Sequence, residues 1–289
     1  MNKRIFLFTL LILLITLTNA QKYVLNSVWR DSTIIIDGSA TDWEQPFPYF
    51  DSKSRLQYSV VNDAKYIYIS IKTSDPKAQM KIMRAGMDLS FDVTGKKKEI
   101  ATIHYPLKSN PKLDMAPNPD EVDQQTIEKP DVKKMQLDWA MADRSIHTQG
   151  LKGIPAALTD ADTVKYGVYA AISWDRSETM TYEIRIPFSA FFKDALTAPD
   201  TLRLISIGIK ANAMDLPLIA TAAPTNANAD VTAGNGMNTS GLNNGMPNTM
   251  GNNSRPQTSS PQPSMAIPRA VADMGVPLVI SAKLKLAFR

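Results

Sequence analysis

The sequence predicts an all-β fold in which two sheets pack face to face as a β-sandwich, joined by short helical connections. About nine segments alternate apolar and polar residues with a period of two, which is typical of strands with one buried face. In the clearest of them, residues 65–72, the isoleucines share one face and the tyrosines, the serine and the lysine share the other. Turn signals such as Asp37-Gly38 and Thr94-Gly95 separate the segments. So many one-sided strands in one domain fit two packed sheets.

The strands and helices are expected in a definite order along the chain. Residues 180–186 place their apolar side chains on one face and Thr181, Glu183 and Arg185 on the opposite one. Short helices are expected at residues 76–85 and 189–194, as connections between strands. Strands are expected at residues 33–36, 56–61, 65–72, 87–93, 99–105, 164–174, 180–186, 202–210 and 278–288.

Residues 1–20 are expected to be a cleaved signal peptide. A basic start at Lys3 and Arg4 precedes an apolar run of about 13 residues, which is short beside the ~20 that a membrane-spanning helix needs. Small residues in Thr18-Asn19-Ala20 then precede a cut at Gln21. Residues 21–289 are therefore expected to be one exported β-sandwich domain with no transmembrane span, located in the periplasm, on the outer surface or outside the cell.

Two stretches interrupt the strand pattern. Residues 109–134 are rich in proline and charge, and they are expected to form a long loop. Residues 221–266 consist mainly of asparagine, glycine, serine, threonine, proline and methionine, with Asp230 and Arg255 as the only charges. Such a composition has too little apolar surface to offset its ordering entropy, so a disordered insert before the last strand is expected.

Composition excludes several function classes. The chain has no cysteine and two histidines, which removes disulfides, thiolate zinc sites and iron–sulfur clusters. A net charge of +4 gives no reason to expect a nucleic-acid partner. No G-x-S-x-G, H-E-x-x-H, Walker or Rossmann pattern occurs, so an enzyme is not expected. A glycoside-active enzyme remains a secondary alternative, because many pairs of acids could form its carboxyl pair.

Two motifs, supported by shorter turn and strand segments between them, resemble a known family. The first is Ile34-Ile35-Ile36-Asp37-Gly38-Ser39-Ala40-Thr41-Asp42-Trp43, and the second is Thr181-Tyr182-Glu183-Ile184-Arg185-Ile186-Pro187-Phe188. In this order they resemble family 9 carbohydrate-binding modules and the wider DOMON-like group. The resemblance implies a jelly-roll-like sandwich of two antiparallel sheets, a saccharide gripped between aromatic rings, and calcium in a structural role. It also implies structural roles for Asp37, Gly38, Asp42, Trp43, Tyr182, Glu183 and Pro187.

Two tryptophans are candidate platforms for a sugar ring, whose apolar C–H face stacks on an aromatic plane. Trp174 ends an expected strand beside Asp175 and Arg176, which could bind sugar hydroxyls. Trp139 follows the long loop and could reach a ligand from there. The structural alternatives are that Trp174 closes the rim of the sandwich and that Trp139 is a local hydrophobic anchor.

Charged clusters give weaker signals. Lys96-Lys97-Lys98 is expected to be a charged hairpin tip that discourages edge pairing. Acidic residues gather in two stretches, but their spacing fits no calcium-loop pattern, so solvated acidic loops are expected. The acidic residues of these two stretches are Asp114, Asp120, Glu121, Asp123, Asp160 and Asp162. The residues alone indicate no cofactor.

Three functions compete at this point. The leading one is an exported, non-catalytic module that binds a saccharide through aromatic stacking at the rim of the sandwich. The second is a structural or protein-interaction component of the cell envelope without a small-molecule site. The third is a haem-binding DOMON-like protein, which 14 methionines and two histidines permit.

Overall fold

The computed structural model describes residues 24–95, 100–107, 131–214 and 272–289. Several expectations fall outside these residues and stay predictions. They are the signal peptide at 1–20, the loop at 109–134 up to residue 130, the insert at 221–266, the lysine tip at 96–98, and Asp114, Asp120, Glu121 and Asp123.

One sheet has seven strands. Its pairings are antiparallel except at one edge, where β1 runs parallel to β13. In spatial order the strands are β1 (Val24–Asn26), β13 (Leu278–Lys285), β12 (Leu204–Ala211), β6 (Met87–Asp92), β7 (Ala101–Tyr105), β8 (Ile146–Gln149) and β9 (Ala157–Leu158).

The second sheet has six strands, and it carries the candidate site described below. Its pairings are antiparallel except that β2 runs parallel to β4. In spatial order the strands are β10 (Tyr169–Trp174), β11 (Met180–Pro187), β5 (Tyr66–Thr73), β4 (Leu56–Asn62) and β2 (Val28–Trp29), and β3 (Tyr49–Asp51) also pairs with β4.

The two sheets pack face to face around one apolar core, which confirms the predicted β-sandwich. Tyr105 of β7 and Tyr182 of β11 meet across the core, with ring centroids 5.8 Å apart in an edge-to-face arrangement. The isoleucines of β5 lie in the same core, as their period of two predicts. The prediction of purely antiparallel sheets needs one correction, because the two short N-terminal strands pair in parallel at sheet edges.

In the four described ranges, three α-helices connect the strands: α1 (Pro76–Ala85), α2 (Val132–Ala140) and α3 (Asp160–Tyr166). The predicted helix at 76–85 is confirmed, and Asp75 caps it by accepting a hydrogen bond from Ala78 N at 2.8 Å. Helix α2 begins at Val132, inside the stretch expected to be loop as far as residue 134. Within the described residues, no helix has the length and apolar character that a membrane crossing requires.

Three other predictions were wrong in part. Residues 33–36 form no strand, because Ile34 and Ile36 pack from a loop onto the second sheet. Residues 160–166 are helical, and β10 starts only at Tyr169, after Gly167 ends α3 with φ 71°. The helix expected at 189–194 is a single 3-10 turn over Phe188–Ala190.

The outer face of the second sheet is not open to water throughout. Residues 34–47, called here the covering segment, cross it and bury a second apolar cluster that is separate from the core. Tyr68, on the polar face of β5, is therefore fully buried. The cluster comprises Ile34, Trp43, Phe47, Val61 and Tyr68.

A clamp holds the ends of β12 and β13 together near α1. Met214 N, just after β12, donates to the carbonyl of Met274, just before β13, at 3.0 Å. The ammonium of Lys81, on α1 and 4% exposed, donates to the carbonyls of Asp273 at 2.7 Å and Val276 at 2.5 Å. Burial lowers the pKa of Lys81 below its ordinary value. The chain therefore leaves the first sheet and rejoins it at one fixed place.

Replacing Gly38 by alanine tests how closely the covering segment lies on the sheet. Gly38 has φ +84°, and an added Cβ would lie 2.7 Å from Ser173 Cβ. The matched control is Gly153→Ala, because Gly153 has φ +69° and its added Cβ meets no described atom within 4 Å. Both substitutions place alanine at a positive φ and so strain the backbone, but only Gly38→Ala also creates an overlap with Ser173. We expect urea unfolding to show Gly38→Ala less stable than the control by about 1–3 kcal/mol. Equal losses would mean that the segment can lift from the sheet.

Candidate ligand-binding groove beside a buried glutamate

Glu183 fastens the covering segment to the second sheet. It lies on the outer face of β11 and is 0% exposed. One carboxylate oxygen, Oε2, accepts hydrogen bonds from the backbone N–H of Gly38 at 2.7 Å and of Asp37 at 3.1 Å. The other, Oε1, accepts the indole N–H of Trp43 at 2.5 Å. Hydrogen bonds to a charged acceptor are stronger than neutral ones, so this carboxylate is the main polar anchor of the segment.

The remaining motif residues shape the same segment or the strand beneath it. Asp37 Oδ1 accepts a hydrogen bond from Ser39 N at 2.7 Å, and Asp42 Oδ2 accepts one from Ile35 N at 3.1 Å. Tyr182 faces the core from β11, and Pro187 ends that strand opposite Tyr66. The structure thus places all seven expected motif residues on the covering segment or on β11.

Burial raises the pKa of Glu183 from 4.5 to about 7, although the hydrogen bonds from Gly38, Trp43 and Asp37 act in the opposite direction. A carboxylic acid has an O–H that is itself a donor, whereas the three groups around Glu183 are all donors. The hydrogen bonds therefore favour the charged form, and burial, which has the larger effect on the pKa, favours the neutral form.

A groove of about 390 Å³ lies between the covering segment and the second sheet. The covering segment lines it with the hydroxyls of Ser39 and Thr41 and the amide of Gln45. The sheet lines it with Lys72 of β5, Thr181 of β11 and, at the end of β10, Trp174 followed by Asp175. Trp43 also lines it, so the groove combines two aromatic rings with hydroxyl, amide, ammonium and carboxylate groups.

Trp174 is half-buried, and its indole is fixed in place. Its Nε1 donates to Gln79 Oε1 at 3.0 Å. Gln79, fully buried on α1, is itself held by donating to the carbonyls of Thr73 at 3.0 Å and Glu178 at 2.8 Å. The ring also packs against the core. Trp174 thus closes part of the rim, as the structural alternative expects, and it also borders the groove.

Asp175 and Arg176 lie in the turn after Trp174. Asp175 Oδ1 accepts hydrogen bonds from Ser177 N at 2.8 Å, Ser177 Oγ at 2.6 Å and Thr179 N at 3.0 Å. Burial raises the pKa of Asp175, but these hydrogen bonds outweigh it, so the net shift is downward. Asp175 lines the groove, whereas Arg176 is exposed and does not line it.

The structure does not bring Trp139 to the groove, which corrects its assignment as a candidate platform. Trp139 is 7% exposed, and its Nε1 donates to the carbonyl of Ile172 at 3.0 Å. Tyr105 packs against it edge to face, with ring centroids 5.9 Å apart, and the guanidinium of Arg144 lies 5.4 Å from its ring centroid. Because its ring is covered in this way, Trp139 acts as the hydrophobic anchor of α2.

Sequence reasoning missed Lys72, Gln45, Thr41 and Thr181. Lys72 and Thr181 were assigned to polar faces of two strands, but only the pairing of β5 with β11 makes them neighbours. The ammonium of Lys72 lies 5.4 Å from the ring centroid of Phe47 and 3.5 Å from Gln45 Oε1. No motif signals that the covering segment reaches across to this lysine.

The structural calcium that the resemblance implies stays a prediction. Across the four described ranges, no three acidic or histidine side chains are grouped to hold a metal ion. Asp160 and Asp162 lie in the first turn of α3, where Asp162 Oδ2 accepts a hydrogen bond from Thr159 N at 3.1 Å. His104 Nδ1 lies 2.6 Å from Asp88 Oδ1 on the other sheet. The haem alternative stays a prediction.

Comparison with known proteins gave two similar structures. The chain matches no protein-family model and no curated protein. It is similar to a carbohydrate binding module family 9 from Caldicellulosiruptor kristjanssonii in complex with glucose, at 11% identity and TM-score 0.33, covering 67% of this chain and 80% of that chain. It is also similar to a family 9 module from that organism in complex with cellotriose, at 9% identity and TM-score 0.32, covering 68% and 78%. The sequence motifs resemble this same family.

The pKa of Glu183 predicts how stability depends on pH. Because the pKa is about 7 in the folded chain and 4.5 ordinarily, the folded protein keeps a proton that the unfolded chain releases between these values. The resulting stabilisation is fully present below pH 4.5 and is lost as the pH rises through 7. We expect this group to lower the free energy of unfolding by about 3 kcal/mol over that interval.

Urea unfolding at several pH values checks this for the wild type and Glu183→Gln, which cannot ionise. We expect the variant to lack this component of the pH dependence. The matched control is Glu44→Gln, an exposed glutamate on the covering segment, which should retain the wild-type profile. If Glu183→Gln and the wild type show parallel profiles, the carboxyl does not titrate in this range.

Proposed function

We propose that this chain is a non-catalytic module that binds a saccharide in the groove between the covering segment and the second sheet. The observation that carries this proposal is Trp174, a half-buried indole whose plane Gln79 fixes beside a line of polar groups. A pyranose presents an apolar C–H face and a rim of hydroxyls, so it needs an aromatic plane with hydrogen-bonding groups around it.

The polar groups of the groove suit the hydroxyls of a sugar ring. Thr41, Gln45 and Thr181 offer hydroxyl and amide groups that both donate and accept hydrogen bonds. Lys72 and Asp175 add one cation and one anion, so these two side chains give no net charge. Its volume of about 390 Å³ lies within the range of roughly 300–1,000 Å³ that is usual for small-molecule sites.

The acids near the groove favour binding over hydrolysis. Glycoside hydrolysis uses two carboxyl groups that flank the scissile bond. Glu183 is 0% exposed and accepts three hydrogen bonds behind the covering segment, so it does not reach a ligand. Asp175 remains, with one oxygen committed to its own turn.

We also propose that the module acts after export, because residues 1–20 have the pattern of a signal peptide.

Tryptophan fluorescence, titrated with a panel of neutral and acidic oligosaccharides, tests the proposal. We expect a saturable change in the wild type and an affinity at least tenfold lower in Trp174→Ala, because stacking supplies on the order of 1.4 kcal/mol or more. The matched control is Trp29→Phe, since Trp29 packs on Phe288 and does not line the groove. A folded wild type that responds to no member of the panel, or equal affinity in Trp174→Ala, would contradict the proposal.

A further inference from the structure

Arg185 lies on the outer face of the second sheet between two tyrosine rings. Its guanidinium carbon is 4.8 Å from the ring centroid of Tyr66 and 4.1 Å from that of Tyr169. Tyr169 of β10 is directly opposite Arg185 of β11, and Tyr66 of β5 is opposite Pro187, two residues further along. All three side chains therefore share one face, and all three are partly exposed.

The cation has no counter-charge within the described parts of the chain. Its Nε is buried without a hydrogen-bond partner, and its guanidinium forms no ion pair with a described acid. Two cation–π contacts favour the charge, but they leave the in-plane N–H groups unused. The terminal N–H groups are not among the buried atoms without a partner, so on this partly exposed side chain they remain available to a ligand.

The acids near Arg185 are committed to other donors. Asp63 accepts hydrogen bonds from the hydroxyl of Tyr68 at 2.8 Å and from the backbone N–H groups of Lys65 at 2.6 Å and Tyr66 at 2.7 Å. Glu183, two residues before Arg185, accepts its three hydrogen bonds from the covering segment. Neither carboxylate is free to turn toward the guanidinium.

The stacked rings determine how a partner can approach. Because a tyrosine ring lies against the guanidinium from each neighbouring strand, the N–H groups at its edge are the part left for a ligand. A planar carboxylate fits that edge with two parallel hydrogen bonds. A neutral hydroxyl would leave the charge uncompensated. The geometry therefore selects for a carboxylate.

We infer that Arg185, held between Tyr66 and Tyr169, is a subsite for the carboxylate of an acidic saccharide such as a uronic acid. This deepens the proposed function and rests on it, because it names the class of saccharide. Thr181, which lines the groove, precedes Arg185 on the same strand by four residues, or about 13 Å. Since Glu183 between them holds Asp37 and Gly38, an oligosaccharide that reaches both places crosses over the covering segment.

Calorimetric titration with two matched ligands tests the inference. One is a trimer of galacturonic acid, and the other is the same trimer with its carboxyl groups methyl-esterified. We expect the wild type to bind the acid at least tenfold more tightly than the ester at low salt, because a charge-assisted bidentate contact exists only for the acid. A sulfated neutral trimer separates carboxylate from sulfate, and tighter binding of the sulfated ligand would overturn the assignment to a carboxylate.

Three variants separate binding from a purely structural role for Arg185. Arg185→Met should remove the preference for the acid while the ester still binds as in the wild type. Arg185→Lys keeps the charge but lacks the planar fork, so it should retain only part of the preference. Lys210→Met removes an exposed cation from the other sheet and should leave the preference unchanged. Thermal unfolding identifies any variant that fails to fold.

The outcomes are distinguishable. Wild-type protein that binds neither trimer nor any neutral oligosaccharide would overturn the proposed function itself. Equal binding of acid and ester would leave that function standing and overturn the subsite. A preference for the acid that survives in folded Arg185→Met would also overturn the subsite, and Arg185 would then serve only to hold β5, β10 and β11 together.

Discussion

One carboxylate, that of Glu183, determines where the covering segment lies. It is 0% exposed, so water cannot replace it as the acceptor for the three N–H donors that point at it. The position of Trp43, the second apolar cluster and one wall of the groove all depend on these contacts. Keeping this carboxyl group ionised is unfavourable, as its raised pKa shows. The fold therefore gives up stability to hold this segment in one arrangement.

Strand β11 alternates residues that face the core with residues that face outward, and the two sets have different roles. Its apolar residues, among them Tyr182, enter the core between the sheets. Its outward residues stand about 6.7 Å apart along the strand and differ in role. Thr181 lines the groove, Glu183 anchors the covering segment, and Arg185 is a cation without a described counter-charge. Core packing and the proposed ligand recognition are thus separated by face within a single strand.

The sequence predicts correctly those elements whose structure depends on neighbouring residues in the chain. Asp75, Pro76 and Gly86 mark the two ends of α1 in sequence, and the helix has those bounds. The run Ile34-Ile35-Ile36 was misleading, because β-branched residues favour strands but here pack from a loop onto another sheet. The place of Trp174 at a strand end makes it a candidate in the sequence, and it borders the groove. Lys72, Thr181 and Gln45 are not candidates in the sequence, because their proximity depends on strand pairing and on a long-range contact. The stacking of Arg185 likewise requires three strands to be in register.

The clamp between Met214, Met274 and Lys81 has a consequence for engineering and for evolution. Its two ends are already fixed by hydrogen bonds, so the sheet register does not depend on what joins them. The entropy of closing a loop grows only with the logarithm of its length. A change in the length of the connection between them therefore adds little loop-closure entropy. The two fixed ends thus define a place at which a display epitope or a second module can be joined to the first sheet.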